Sequence, residues 1–329
     1  MEKINWGIIG CGDVTEMKSG PAFNKVNDSE LIAVMRRNAA KAKDYAARHQ
    51  VPTWYDDADQ LIHDPKINAV YIATPPSSHE SYCLKVINAG KHVYVEKPIA
   101  MDQQQALHMA AAAEERPVKL VVAHYRREQP IFKKIKQLID EEQIGEPVSA
   151  ELSFSRPLLT KDELAVERMA WRLDPAIAGG GLFHDLAPHQ LDLMYYFFGA
   201  VEQASGIASN RSGSYAADDT VSGNILFKNA VRFSGSWDFN AGSNIDHCEI
   251  IGLKGKISFA VFQHKMFELT LHDNKKTVYE FDSLQHVQEP MIEKTVQYFL
   301  GNADNPCTGH DGAEVMRLID AFTGKNVLL

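Results

Sequence analysis

The chain has 329 residues, room for two domains at about 150 residues each. Hydrophobic residues make up 45% and charged residues 23%, a globular balance that excludes disorder, collagen and coiled coil as descriptions of the whole. Lys and Arg number 34 against 43 Asp and Glu, a net charge of −9 that argues against a nonspecific nucleic-acid or anionic-membrane binder.

No apolar run approaches the ~20 residues that span a bilayer. The opening MEKINWGIIG carries no basic n-region, apolar core or small-residue cleavage site, and enters a strand almost at once. Cys11, Cys83, Cys248 and Cys307 lie far apart, with no C-x-x-C pair or zinc spacing. A cytoplasmic protein with reduced thiols is expected.

The first third alternates apolar runs at 4–9, 31–35, 69–73, 92–95 and 119–123 with helical stretches at 39–49, 81–89 and 103–115. Such alternation predicts βαβ units and a parallel sheet. Gly7-Ile8-Ile9-Gly10-Cys11-Gly12 closes the first strand. Gly10 permits a tight turn and Gly12 lets the backbone approach a pyrophosphate, while Asp13 and Val14 open a helix whose N–H groups would meet it. Thr15 stands where the G-x-G-x-x-G pattern has its third glycine, so strand–helix packing must accommodate a β-branched residue. NAD sites place an acid after the second strand. Here Arg36 and Arg37 follow Met35, and two guanidiniums attract a 2′-phosphate. NADP(H) is therefore the expected coenzyme and NAD the alternative; the competing reading makes both arginines solvated strand-end charges.

Two turns follow later strands: Ala73-Thr74-Pro75-Pro76-Ser77-Ser78-His79 and Glu96-Lys97-Pro98. Pro98 pushes Lys97 into extended geometry at the carboxyl edge of the sheet, where ligands bind in such folds. A lysine there can stabilise a developing alkoxide, or simply pair with Glu96. Thr74, Pro75, His79, Glu96 and Lys97 thus join the cofactor-binding candidates, with a plain helix-start role open for His79.

The pattern changes near residue 122, dividing the chain into a dinucleotide-binding domain at 1–122 and a second domain at 123–329. After a helix at 130–142 comes two-residue alternation: Val148, Ala150, Leu152 and Phe154; Val231, Phe233, Trp237 and Phe239; Ile257, Phe259 and Val261; Met266, Leu269 and Leu271; and Val278 with Phe281. With turns at Lys228-Asn229 and Asp273-Asn274, this predicts an antiparallel sheet with two unlike faces. Helices are expected at 184–199, 289–300 and 311–323. The glycine triplet 179–181 leads into the first of them, and Pro188 is expected in about its first turn, where no internal bond is lost. Asp185, His189 and Asp192 share one face at i, i+4, i+7. A carboxylate one turn from an imidazole can orient it and raise its basicity for acid–base work. The alternatives are that Asp185 only caps the helix, with His189 a satisfied core residue, or that these groups and His184 bind metal. His184 falls on another face, so no metal site is expected. Tyr125 and Arg172 are candidate substrate or cofactor contacts.

The ordered set Gly7-x-x-Gly10-x-Gly12, Ala73-Thr74-Pro75-Pro76-x-x-His79, Glu96-Lys97-Pro98, Trp171-Arg172 and Gly179-Gly180-Gly181-x-x-x-Asp185-x-x-x-His189-x-x-Asp192 resembles the glucose–fructose oxidoreductase / inositol dehydrogenase family of NAD(P)-dependent oxidoreductases, over nearly the whole chain. The resemblance implies an α/β Rossmann domain plus an α+β domain with a large, mostly antiparallel open sheet. That sheet commonly forms oligomer contacts, so a homodimer or homotetramer is expected. It also implies that Lys97, Asp185 and His189 line the substrate site, and that the partner is a small polyhydroxy compound. Residues 155–167 match no particular member, so substrate identity does not carry over. A different class of function, a non-catalytic NADP(H)-binding sensor or regulatory protein, would need Gly10, Gly12, Arg36 and Arg37 but not Lys97, Asp185 and His189 together.

Overall fold

The computed structural model describes residues 2–263 and 265–324. Two units emerge, one running through Glu128 and resuming over Leu284–Glu314, the other covering Gln129–Ser283 and the chain from Val315.

In the first unit, strands β1 (Ile4–Ile9), β2 (Ser29–Met35), β3 (Thr53–Tyr55), β4 (Ala69–Ile72), β5 (His92–Val95) and β6 (Leu120–Val122) pair in parallel in the order β3-β2-β1-β4-β5-β6. The order reverses between β1 and β4, the switch point outside whose carboxyl ends ligands bind in open α/β sheets. The inner strands are largely apolar because both faces are covered: every residue of β4 is buried, whereas edge strand β3 has none buried. Helix starts follow side-chain chemistry. Asn38 accepts the Lys41 N–H at 3.0 Å ahead of Ala39–His49, and Asp102 accepts the Gln105 N–H at 2.9 Å ahead of Gln103–Glu114. An aromatic core gathers Trp6, Phe23, Tyr71 and Tyr94, with ring centroids 4.8 Å apart for Trp6–Phe23 and 5.0 Å for Tyr71–Tyr94.

The second unit is a sheet of β7 (Pro147–Pro157), β8 (Val201–Ser209), β9 (Thr220–Phe227), β10 (Arg232–Ala241), β11 (Ile245–Gly252), β12 (Gly255–Phe259), β13 (Met266–Leu271) and β14 (Lys276–Glu280), in the order β14-β13-β12-β11-β7-β10-β9-β8. Every neighbouring pair is antiparallel except β7 with β10. One face carries Leu152, Phe154, Ile225, Phe233, Trp237, Ile250 and Ile257, all buried, while Glu151, Ser153, Ser234 and Ser236 alternate onto the exposed face. Helices Pro130–Asp140 and Gly181–Phe198 cover the buried side, with centroids at 6.2 Å for Phe132–Phe259 and 5.2 Å for Phe183–Trp237. The expected pair of a Rossmann domain and a mostly antiparallel α+β domain is the fold observed.

Three local expectations are corrected. Met266 does not share a face with Leu269: a period of two sets Phe267 beside Leu269, and Met266 is 48% exposed. The long helix begins at Gly181 rather than 184, so Pro188 is its eighth residue and sits in the interior, where it cannot donate the i→i−4 bond. Strands β3, β8, β9 and β11 add to the strands that the apolar patterning predicts.

His92 links β5 to β6, its Nδ1 accepting the Lys119 N–H at 3.1 Å. Burial, aided by the Lys119 charge, pushes its pKa down to about 4. The fold holds the neutral ring, whereas the unfolded chain protonates it near 6.5, so this contribution is full above pH 6.5 and is lost as pH falls toward 4. Urea unfolding should show wild-type stability dropping by about 2 kcal/mol more than that of His92→Asn across this window. Equal pH slopes would contradict the assignment.

Candidate functional site

The glycine turn after β1 is shaped by close approach. Gly10 has φ +95°, and a Cβ there would lie 2.8 Å from Thr74 Cγ2 and 2.9 Å from the Ala73 carbonyl. The Gly10 and Cys11 N–H groups both donate to Met35 O, at 2.9 and 3.2 Å. Gly12 differs: the nearest atom to its Cβ would be Gly10 O at 3.8 Å, so the space beside it is open. The N–H groups of Gly12, Asp13 and Val14 bond no acceptor among the described residues. Three such donors in an open turn suit the oxygens of a pyrophosphate. The helix Asp13–Met17 has only five residues, so these N–H groups rather than a long dipole supply the attraction.

Thr15 is accommodated by a displaced glycine. Its hydroxyl donates to Gly12 O at 2.8 Å and its carbonyl accepts from Tyr45 OH at 2.8 Å. A Cβ on Gly20 would strike the same carbonyl and Tyr45 hydroxyl, so the small residue that close packing requires stands five positions later. At the end of β2, Arg36 Nη1 donates to Cys11 O at 3.3 Å. Arg37 is exposed. Burial, against the pull of Arg36, pushes the Cys11 thiol up to about 11, which leaves it inert as a nucleophile.

The two later turns are joined by His79. Its Nε2 lies 2.7 Å from Thr74 O, and its Nδ1 lies 3.0 Å from Pro98 O and 3.2 Å from Ile99 O. The ring is 1% exposed, so it acts as a strut between turns. Burial holds its pKa below the ordinary value, while the carbonyls and Glu96 pull the other way. Ser78 Oγ donates to Thr74 Oγ1 at 2.8 Å, with Pro75 beside it in the same turn. Glu96 is buried, accepting from Tyr71 OH at 2.5 Å, from Gln288 Nε2 at 2.6 Å and from the Lys97 N–H at 3.1 Å. Tyr125 is buried after β6, its ring under the Arg126 guanidinium at 5.5 Å. Its neighbour His124 belongs to none of the motifs in the sequence. Burial, then the charges of Arg127 and Lys97, hold His124 well below the ordinary imidazole pKa, so a neutral ring stands near Lys97. Its position just past a strand of the parallel sheet was the available signal.

In the second unit, the glycines before the long helix have separate causes. Gly181 takes φ +69° against Ala217, and a Cβ on Gly180 would meet the His184 ring. The helix N-cap is Gly180, without a side-chain cap, so Asp185 is not the capping group. Its carboxylate pairs with Arg172 Nε at 3.5 Å, and that guanidinium lies 4.4 Å over the Trp171 ring. His189 is 5% exposed, with Phe262 edge-on at 5.8 Å. Asp246 fixes that phenylalanine's loop, accepting the Val261 and Phe262 N–H groups at 3.0 and 2.7 Å. Asp192 is buried. His184 Nδ1 lies 3.1 Å from Gly180 O, apart from this face. No group of three metal-ligating side chains occurs among the described residues.

Residues 4–124 match the profile of an oxidoreductase family with an NAD-binding Rossmann fold, and residues 132–258 match that of the GFO/IDH/MocA C-terminal domain. An oxidoreductase of Formosa agariphila is 48% identical over 98% of this chain and 99% of its own length. A 1,5-anhydro-D-fructose reductase of Ensifer adhaerens is 28% identical over 69% of this chain and 66% of its own. Among solved structures, levoglucosan dehydrogenase in complex with NADH aligns with a TM-score of 0.89 at 21% identity, covering 97% of this chain and 96% of that one. The chain belongs to the GFO/IDH/MocA family: it is an oxidoreductase built on an NAD-binding Rossmann fold, as the motif resemblance implied.

The two glycines should respond differently to substitution. Gly10→Ala adds left-handed strain and a clash with Thr74, and should cost about 2–4 kcal/mol of stability. Gly12→Ala meets open space, so its melting temperature should stay at the wild-type value while coenzyme affinity falls about tenfold or more in fluorescence titration. Unchanged affinity in a folded Gly12→Ala variant would contradict the cradle.

Proposed function

We propose that this oxidoreductase transfers a hydride between NADP(H) and a carbinol or carbonyl carbon of a sugar, sugar derivative or inositol-like polyol. The observation that carries the reading is one continuous edge: the N–H cradle at Gly12–Val14 abuts Thr74 through Gly10, and His79 ties Thr74 to the turn bearing Lys97. The N–H groups of Gly12, Asp13 and Val14 would hold the pyrophosphate. Arg36, anchored on Cys11 O, would grip the 2′-phosphate with Arg37, and no carboxylate stands at that strand end to repel it. When bound, the nicotinamide supplies or receives the hydride.

Lys97 donates a hydrogen bond to the substrate oxygen and stabilises the charge that develops on it. His189 takes the hydroxyl proton on oxidation and returns it on reduction. Asp185, steadied by Arg172, orients the imidazole and accepts from a neighbouring hydroxyl. Tyr125 and Arg172 complete the substrate-binding set. The similar proteins named 1,5-anhydro-D-fructose reductase and levoglucosan dehydrogenase make 1,5-anhydro-D-fructose and levoglucosan the first members of a substrate panel. The four cysteines are buried, in keeping with a cytoplasmic setting. Ile207, Met266 and Val278 lie exposed on the open sheet face, which supports a homodimer or homotetramer built through that face.

A panel of sugars, anhydro sugars and inositols followed at 340 nm should give turnover with NADP(H) favoured over NAD(H). Arg36→Ala combined with Arg37→Ala should reduce that preference about 10–100-fold, and an intact preference would overturn the coenzyme assignment. His189→Asn should lower kcat about 10²–10⁴-fold on the panel's best substrate, and unchanged turnover would remove the acid–base role.

A further inference from the structure

We propose that Gln288 is a positioning residue for Lys97, acting through the buried Glu96 carboxylate. The inference rests on the role given to Lys97 above and deepens it. Glu96 is 6% exposed, and its bonding is divided between its two oxygens. Oε1 accepts from Tyr71 OH and from Gln288 Nε2, at 2.5 and 2.6 Å; Oε2 accepts the Lys97 N–H at 3.1 Å. All three donors are neutral, and the carboxylate makes no ion pair among the described residues. A buried charge so placed depends on its donors, because each one lost leaves it short of solvation. The same carboxylate fixes the backbone of Lys97, already restricted by Pro98.

Gln288 is itself held at both ends. Its Oε1 accepts from Tyr94 OH at 3.1 Å, and its backbone N–H donates to Lys18 O at 3.1 Å. Two residues earlier, His286 Nδ1 lies 2.6 Å from Met17 O. Thus one short stretch of the returning chain grips both the end of the helix after the glycine turn and the carboxylate behind Lys97. The position requires an amide. It must accept from Tyr94 and donate to Glu96 at once, and a carboxylate of the same shape can only accept.

That requirement supplies the test. In Gln288→Glu, two carboxyl groups in contact resist carrying charge together, so they share a proton at low pH and repel once it leaves. While shared, that proton replaces the amide donor. Reactivity of Lys97 toward acetic anhydride, read by peptide mass spectrometry against exposed Lys3, should therefore follow wild type at low pH and depart from it by about threefold or more as pH rises. Gln288→Met, with no donor, should be displaced at every pH, and Tyr71→Phe should shift the same way if a 288 variant folds poorly. Turnover of 1,5-anhydro-D-fructose with NADPH should fall about tenfold in Gln288→Met, with no further loss when it is added to Lys97→Met. Wild-type labelling of Lys97 in all three variants would overturn the proposal. Altered labelling with full turnover in Lys97→Met would instead sustain the positioning role and remove the catalytic reading of Lys97.

Discussion

The nucleotide-binding edge of the first unit depends on one buried imidazole. His79 spans the turn after β4 and the turn after β5, with carbonyl oxygens facing both ring nitrogens. A neutral imidazole donates once and an imidazolium twice; burial favours the first and the surrounding carbonyls with Glu96 favour the second. Either way the ring fixes the spacing of Thr74 and Pro98, and Thr74 in turn bounds the space that only glycine can occupy at position 10. The open donors at Gly12–Val14 and the lysine at 97 are therefore parts of a single braced rim.

Much of this was legible in sequence because the signals are local. Apolar runs buried on both faces announce a parallel sheet, and a glycine turn after the first of them announces a nucleotide. Glu96-Lys97-Pro98 and the spacing of Asp185 with His189 carried the site candidates by backbone restriction and helical period. The glycine triplet was readable as a helix entry, although the earlier start of that helix moved Pro188 from its first turn into its interior.

What escaped was set by contacts distant in the chain or by weak patterning. Strand β8 is polar or small apart from Val201 and Ile207, so it gives little alternation to read, and β7 pairs in parallel with β10 across intervening elements. Gln288 belongs to no motif. Its meaning comes from Glu96, 192 residues away, and from a returning segment that nothing local predicts. Gly20 belongs to no local motif, and the need for a glycine there comes from Thr15 and Tyr45, which close around it. His79 was readable as a polar helix start, but its function as a strut appears only once both turns are in place.

A rim that holds a phosphorylated dinucleotide through backbone donors and Arg36 must discriminate between the two coenzymes. Isothermal titration of the purified protein with NADPH and with NADH reads that discrimination. The expected result is one site per chain and binding of NADPH at least about tenfold tighter than NADH, the value of a charge-assisted hydrogen bond. Absence of heat with both coenzymes, or tighter binding of NADH, would contradict it.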